Sequence, residues 1–287
     1  MLCHLKRLLL GLAACSLAVV LAHADTVTGT GGWQSWSPAY LIQGVSPTPG
    51  TPYWNNLSGD GSRYNIGWCL VGNGNCSIPS PPGNVPYFGL NGGSASADFS
   101  FESSNYAVTA TLEASFTNSR ALDVFGWYSI DANGSIGLLH PLFSPSDSPG
   151  LVHSFTPSST YGFYVEQDQG TPGNHFASQY FFFMDSAKNN VAGYPNPSDT
   201  LQHFAVFDAQ LGTSDDRTPY YIGAVDTRAC TPNGSGTCNS TARFDYNDFI
   251  VRLDTIDTPE PGSFGLLACT LVMLVAFLRP QVFRQQR

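Results

Sequence analysis

Oxygen-bearing side chains crowd one short stretch late in the chain. In RFDYNDFIVRLDTI, Asp245, Asn247 and Asp248 stand directly ahead of an alternating apolar segment. Oxygen donors on a turn suit a hard cation such as calcium, which takes about six to eight of them. Three side chains cannot fill that shell. Asp226 in GAVDTR, and Asp215 with Asp216 in TSDDR, are the candidates to complete it. The same residues could equally cap the turn through Asx hydrogen bonds, with Arg243 or Arg252 balancing their charge. Asp226, Asp245, Asn247 and Asp248 are therefore candidate calcium ligands, and no other cofactor is expected.

Other chemistry is sparse. There is no Gly-x-Ser-x-Gly elbow, no His-Glu-x-x-His and no phosphate-cradling loop. His140, His153, His175 and His203 are scattered. Glu166 and Asp168 would share one side of a strand, the single arrangement here that resembles a glycosidase carboxylate pair. The expectation is a non-enzymatic protein, the alternative a secreted polysaccharide-acting enzyme on a β-sandwich. Trp33, Trp36 and Trp54 lie among Gly, Pro and Ser, where exposed rings could stack on sugars, although sandwiches also bury tryptophan as core.

The elements that must position these groups read as strands. In YAVTATLEASF, Tyr106, Val108, Ala110, Leu112, Ala114 and Phe116 alternate with Ala107 and the polar Thr109, Thr111, Glu113 and Ser115, the period of a half-buried strand. Similar runs follow in ALDVFGWYSI, YGFYVEQ, QYFFFMD, HFAVFDA, YYIGAV and FIVRLDTI, separated by turns such as Asp131-Ala132-Asn133-Gly134 and Lys188-Asn189-Asn190. Many short strands and no long amphipathic helix predict an all-β fold, an antiparallel β-sandwich or jelly roll. Residues 25–95 are the loop-rich, aromatic N-terminal part of that domain, and 96–257 its core.

The two ends have another character. MLCHLKRLLLGLAACSLAVVLAHA has basic residues, an apolar stretch and Ala22-His23-Ala24, the pattern of a secretory signal peptide over 1–24 with cleavage before Asp25. Ser263 to Leu278 are 16 residues without charge, near the lower limit for a helix crossing a ~30 Å hydrocarbon core. Arg279, Arg284 and Arg287 follow and would hold that end cytoplasmic. Pro259-Glu260-Pro261 precedes the apolar run as a stiff, extended segment. Over Asp25 to Gly262, seven basic residues face all 21 acidic ones, a net charge of −14, with Lys188 the one remaining lysine. That balance disfavours nucleic acid and anionic membrane surfaces as partners.

Four cysteines remain in the exported part, as two close pairs around Gly/Asn-rich turns: Cys69 with Cys76, and Cys230 with Cys238. Local disulfides fit these spacings and an oxidising compartment better than a zinc site does.

Residues 258–287, Pro-Glu-Pro followed by a short apolar helix over 263–278 and a basic end, resemble the PEP-CTERM sorting signal of Gram-negative bacteria. That signal also carries the label of an ice-binding protein C-terminal domain. The arginines here are more spread than the usual cluster. The resemblance implies recognition by an exosortase, transient anchoring in the inner membrane, processing near Pro259–Pro261 and a cell-surface or extracellular destination alongside exopolysaccharide and biofilm. The ice label has no functional weight, since Thr-x-Thr occurs only at Thr26-Thr28-Thr30 and Thr109-Thr111. DYNDFIVRL, with FGWY, YGFYV and YYIGAVD ahead of it, is similar over about 120–255 to a domain of unknown function in exported bacterial proteins. That similarity implies a β-sandwich and metal binding through Asp245, Asn247 and Asp248, with Asp226 upstream.

Overall fold

Strands form where the side chains alternate. The computed structural model describes residues 25–35, 52–54, 65–70, 76, 78, 85–93, 95–116, 123–157, 159–168, 179–189, 201–209, 219–226 and 246–255. The leader (1–24), Trp36, Asp215, Asp216, Cys230, Cys238, Asp245 and the tail with Pro259, Glu260, Pro261, Arg279, Arg284 and Arg287 lie outside them. All described residues belong to one unit spanning Ala24–Ile256. Among them no helix is long and apolar enough to cross a membrane.

The strands are β1 (Thr26–Gly29), β2 (Gly32–Gln34), β3 (Tyr87–Gly89), β4 (Phe99–Glu102), β5 (Val108–Ser115), β6 (Val124–Ile130) and β7 (Ile136–Phe143). They continue as β8 (Val152–Phe155), β9 (Tyr161–Asp168), β10 (Gln179–Phe183), β11 (Phe204–Asp208), β12 (Tyr220–Ala224) and β13 (Phe249–Thr255). One short helix, α1 (Ile66–Leu70), and two three-ten turns, Asn91–Gly93 and Ser186–Lys188, complete the described elements.

The strands make two antiparallel sheets. The first runs β1-β4-β9-β6-β7, with β10 also on β9; the second runs β2-β3-β11-β12-β13-β5-β8. Their facing sides share one interior. Phe101, Phe125, Phe163 and Phe182 come from the first sheet and meet Val108, Leu112, Ile222 and Val251 from the second. This is an all-β sandwich. Consecutive strands change sheets at each lateral edge, β1 to β2 on one side and β7 to β8 on the other. Pro141, in edge strand β7, sits where a missing N–H costs no ladder bond.

Two findings depart from simple alternation. Leu112 pairs with Val251 but Ala114 pairs with Ile250, so Glu113 is an extra residue in β5. One inserted residue reverses which face follows. Leu112 therefore points into the sandwich, whereas Ala114 and Ile250 join a second cluster on the outer side of the second sheet. Ile250 is not an outward, solvent-facing residue like half-exposed Arg252 and Asp254; it is fully buried.

That outer side is covered by the N-terminal part of the chain. Trp54, Ile66, Cys69, Leu70, Cys76 and Ile78 pack on Ala205, Phe207, Tyr221 and Ile250. Gly223 of β12 is required there, because a Cβ would collide with the Ile66 side chain and the Tyr246 carbonyl. The outer side of the first sheet carries a smaller cluster of Tyr128, Tyr164, Phe181 and Phe183.

Candidate functional site

The acidic turn comes together at one end of the second sheet. Ala224 of β12 pairs with Phe249 of β13, so the residues just beyond each strand become neighbours. Asp226, Asn247 and Asp248 meet there, all buried. Asp248 Oδ2 accepts from the Asp226 backbone N–H at 2.8 Å. The Asp226 carbonyl accepts from Gln167 Nε2 of β9, tying this corner to the first sheet. The preceding residue, Tyr246, holds φ at 54°, uncommon for a bulky side chain, and its hydroxyl donates to Gln202 O at 2.9 Å. Among the described residues no group of three or more His, Cys, Asp or Glu is arranged to hold a metal ion. Asp245 is outside them. In the part that is described, Asp248 accepts from a backbone N–H, as a turn-capping residue does.

The other candidates separate. Trp54 is wholly buried, edge-on to Tyr87 at 5.4 Å and Phe207 at 5.2 Å. Its ring is core, and the sugar-stacking expectation for it is corrected: no face is open. Trp33 is half-buried and stacks on Tyr220 at 6.1 Å, with Phe88 against its edge. Cys69, in α1, and Cys76 are joined by a disulfide with Cα atoms 5.2 Å apart. Glu166, on β9, is half-buried opposite Val124 and Phe181.

An ionic group with one buried member, Glu113, lies on the outer side of the second sheet. Arg252 reaches Glu113 at 2.9 Å and Asp254 at 2.9 Å. Glu113 has a side chain only 2% exposed. Burial raises its carboxyl above the ordinary carboxylate range, against the lowering pull of Arg252.

An open cleft of about 300 Å³ lies over β1 and β4, lined in part by Thr28, Thr30, Asp98, Ser100, Asp185 and Lys188. Thr28 and Ser100 are register partners, their hydroxyls 3.5 Å apart. Asp185 caps the Ser186–Lys188 turn by accepting from Ala187 N at 3.1 Å, and its other oxygen pairs with Lys188 Nζ at 3.1 Å. Lys188 also donates to Gly134 O at 2.6 Å, a carbonyl on the β6–β7 turn where Gly134 has φ 79°. One ammonium proton has no partner among the described residues. Asp98 Oδ1 accepts from Ser186 N at 2.9 Å and Gln202 Nε2 at 3.4 Å, while Oδ2 has no partner among the described residues.

No protein-family model matches the chain, and comparison with curated proteins and with solved structures finds no match. The resemblances of the tail and of the 120–255 segment rest on their own residues.

Two sequence signals pointed toward the cleft without marking it as a site. One is the period-two Thr26-Thr28-Thr30; the other is Lys188 as the lone lysine between leader and tail. Asp98 had no such signal, because its role depends on Ser186 and Gln202, far along the chain.

Proposed function

We propose that this is an exported, non-enzymatic surface or matrix protein, sorted through its tail by an exosortase, whose cleft over β1 and β4 binds neutral polysaccharide. The observation that carries the binding is the set of valences left open in the cleft. Asp98 Oδ2 offers an acceptor, Lys188 Nζ a donor, and the Thr28 and Ser100 hydroxyls can do either. A sugar ring presents vicinal hydroxyls that are each donor and acceptor beside apolar C–H faces, and a few polar groups set in a largely apolar lining can meet both. The volume is at the lower end for small-ligand sites, which start at about 300 Å³, and suits one or two sugar units. The Cys69–Cys76 disulfide supports the exported half of the reading, since such bonds persist in oxidising compartments.

The test is calorimetric titration of the purified protein with neutral oligosaccharides of graded length, alongside Asp98→Asn and Lys188→Ala. Saturable binding that both variants weaken is expected. Equal binding by all three proteins would remove the cleft from the reading. Intact mass of surface-released protein tests the sorting half, with an expected end near Gly262 and loss of residues 1–24.

A further inference from the structure

Asp25 is an acidic residue at the start of an edge strand, a place where carboxylates are usually solvated, yet it is only 2% exposed. Its Oδ1 accepts from both the backbone N–H and the hydroxyl of Ser104, each at 2.6 Å. Its Oδ2 accepts from the Tyr161 hydroxyl at 2.8 Å. Its carbonyl accepts from the Tyr220 hydroxyl at 3.1 Å. Tyr161 belongs to β9 in the first sheet and Tyr220 to β12 in the second, so one residue ties both sheets at this corner. Ser104 is held in turn: Asn105 has φ 63°, its N–H donates to Ser103 Oγ, and Ser103 Oγ donates to Pro157 O.

The same residue directly follows Ala22-His23-Ala24, the small-x-small site at the end of the leader. We infer that the Asp25 socket sets the order of export processing: the leader is cut readily only while this corner of the sandwich is open, and closure of the socket around Asp25 latches β1 and shields the bond. The inference rests on reading residues 1–24 as a leader. Cleavage adds water across the bond between residues 24 and 25; the Ala24 carboxylate leaves with the leader and the α-amino group stays on Asp25. A protease must hold the residues on both sides of that bond extended in its own cleft. Asp25 cannot be presented in this way while its side chain and carbonyl are engaged by Ser104, Tyr161 and Tyr220. Cutting of a closed precursor would proceed only through transient opening of the corner, at a rate set by the population of the open form.

The experiment uses the full-length precursor, folded in detergent and offered to purified signal peptidase, beside the same chain presented unfolded. Ser104→Ala and Tyr161→Phe leave residues 1–25 unchanged and remove partners from the socket. The unfolded chain should be cut between residues 24 and 25, read by N-terminal sequencing. The folded chain should be cut at least about tenfold more slowly, and each variant should recover much of that rate. Near-ultraviolet circular dichroism confirms that each variant has folded. Equal cutting of folded and unfolded chain overturns the latch. No cutting at that bond in either form overturns the leader reading instead, so the two failures are distinct.

Discussion

The corner at Asp226, Asn247 and Asp248 and the cleft at Asp98, Asp185 and Lys188 are both acidic, and both sit beside turns, but they differ in what their oxygens touch. At the corner the residues are buried, and Asp248 closes on a backbone N–H. In the cleft one oxygen of Asp98 has no partner among the described residues. The first arrangement holds two strands together; the second leaves a valence unused. Acidic density alone does not separate glue from site. The unused hydrogen-bonding capacity does.

Substitutions can break or sharpen that contrast. The largest stability loss is expected at the ionic group beyond both regions: Arg252→Ala leaves Glu113 buried without its cation, at a cost in denaturant melts of about 2–3 kcal/mol, below that of a fully buried pair because Arg252 is 33% exposed. Asp248→Ala should remove about 2 kcal/mol, or about 5 °C in Tm, by leaving the buried Asp226 N–H without its acceptor. The cation test at this corner is a melt in chelator beside one in millimolar calcium, where equal Tm values leave Asp248 as a turn residue. A cation held at a hundredfold excess over its Kd would instead add about 2.7 kcal/mol, and such a rise, lost in Asp248→Ala, would make the corner a metal site.

Glu113→Gln should change the pH profile rather than the fold. The folded chain holds the Glu113 proton more tightly than the unfolded chain does, so this group subtracts stability as pH rises from the ordinary carboxylate range through its elevated value. The variant should flatten that slope in melts taken upward from about pH 4, the ordinary carboxylate range. The smallest effect on stability belongs to the cleft. Asp98→Asn keeps Oδ1 for Ser186 and Gln202, so stability should stay within about 0.5 kcal/mol while oligosaccharide binding falls.

Much of the fold was legible in the chain, because alternation at period two is a direct image of a strand with two different faces. Val108, Ala110 and Leu112 point inward as that rule requires. The rule loses track at Glu113, where one inserted residue flips Ala114 to the other side, and no single-strand pattern reveals an insertion relative to a partner strand. The same limit hid the covering layer. Trp54 among Gly and Pro could be read as a core ring or an exposed one, because the partners that bury it, Tyr87 and Phe207, are 33 and 153 residues further on. Of the site residues, Asp226 could be named beside Asn247 and Asp248 only on condition that their turns lie adjacent, and the pairing of β12 with β13 supplies that adjacency. The open oxygen of Asp98 could not be named, since it is defined by which distant donors fail to reach it.

The covered second sheet also determines how this molecule would fail. Ala205, Phe207, Tyr221 and Ile250 form an apolar plate that is shielded by a short, loop-rich stretch fastened through Cys69 and Cys76. A chain whose Cys69 and Cys76 thiols have not been joined lacks that fastening. Wherever the cover lifts, the plate is a contiguous sticky surface, the kind that draws copies of a protein to each other. Closing the Cys69–Cys76 bond is therefore expected to guard this chain against clumping as well as to brace its fold.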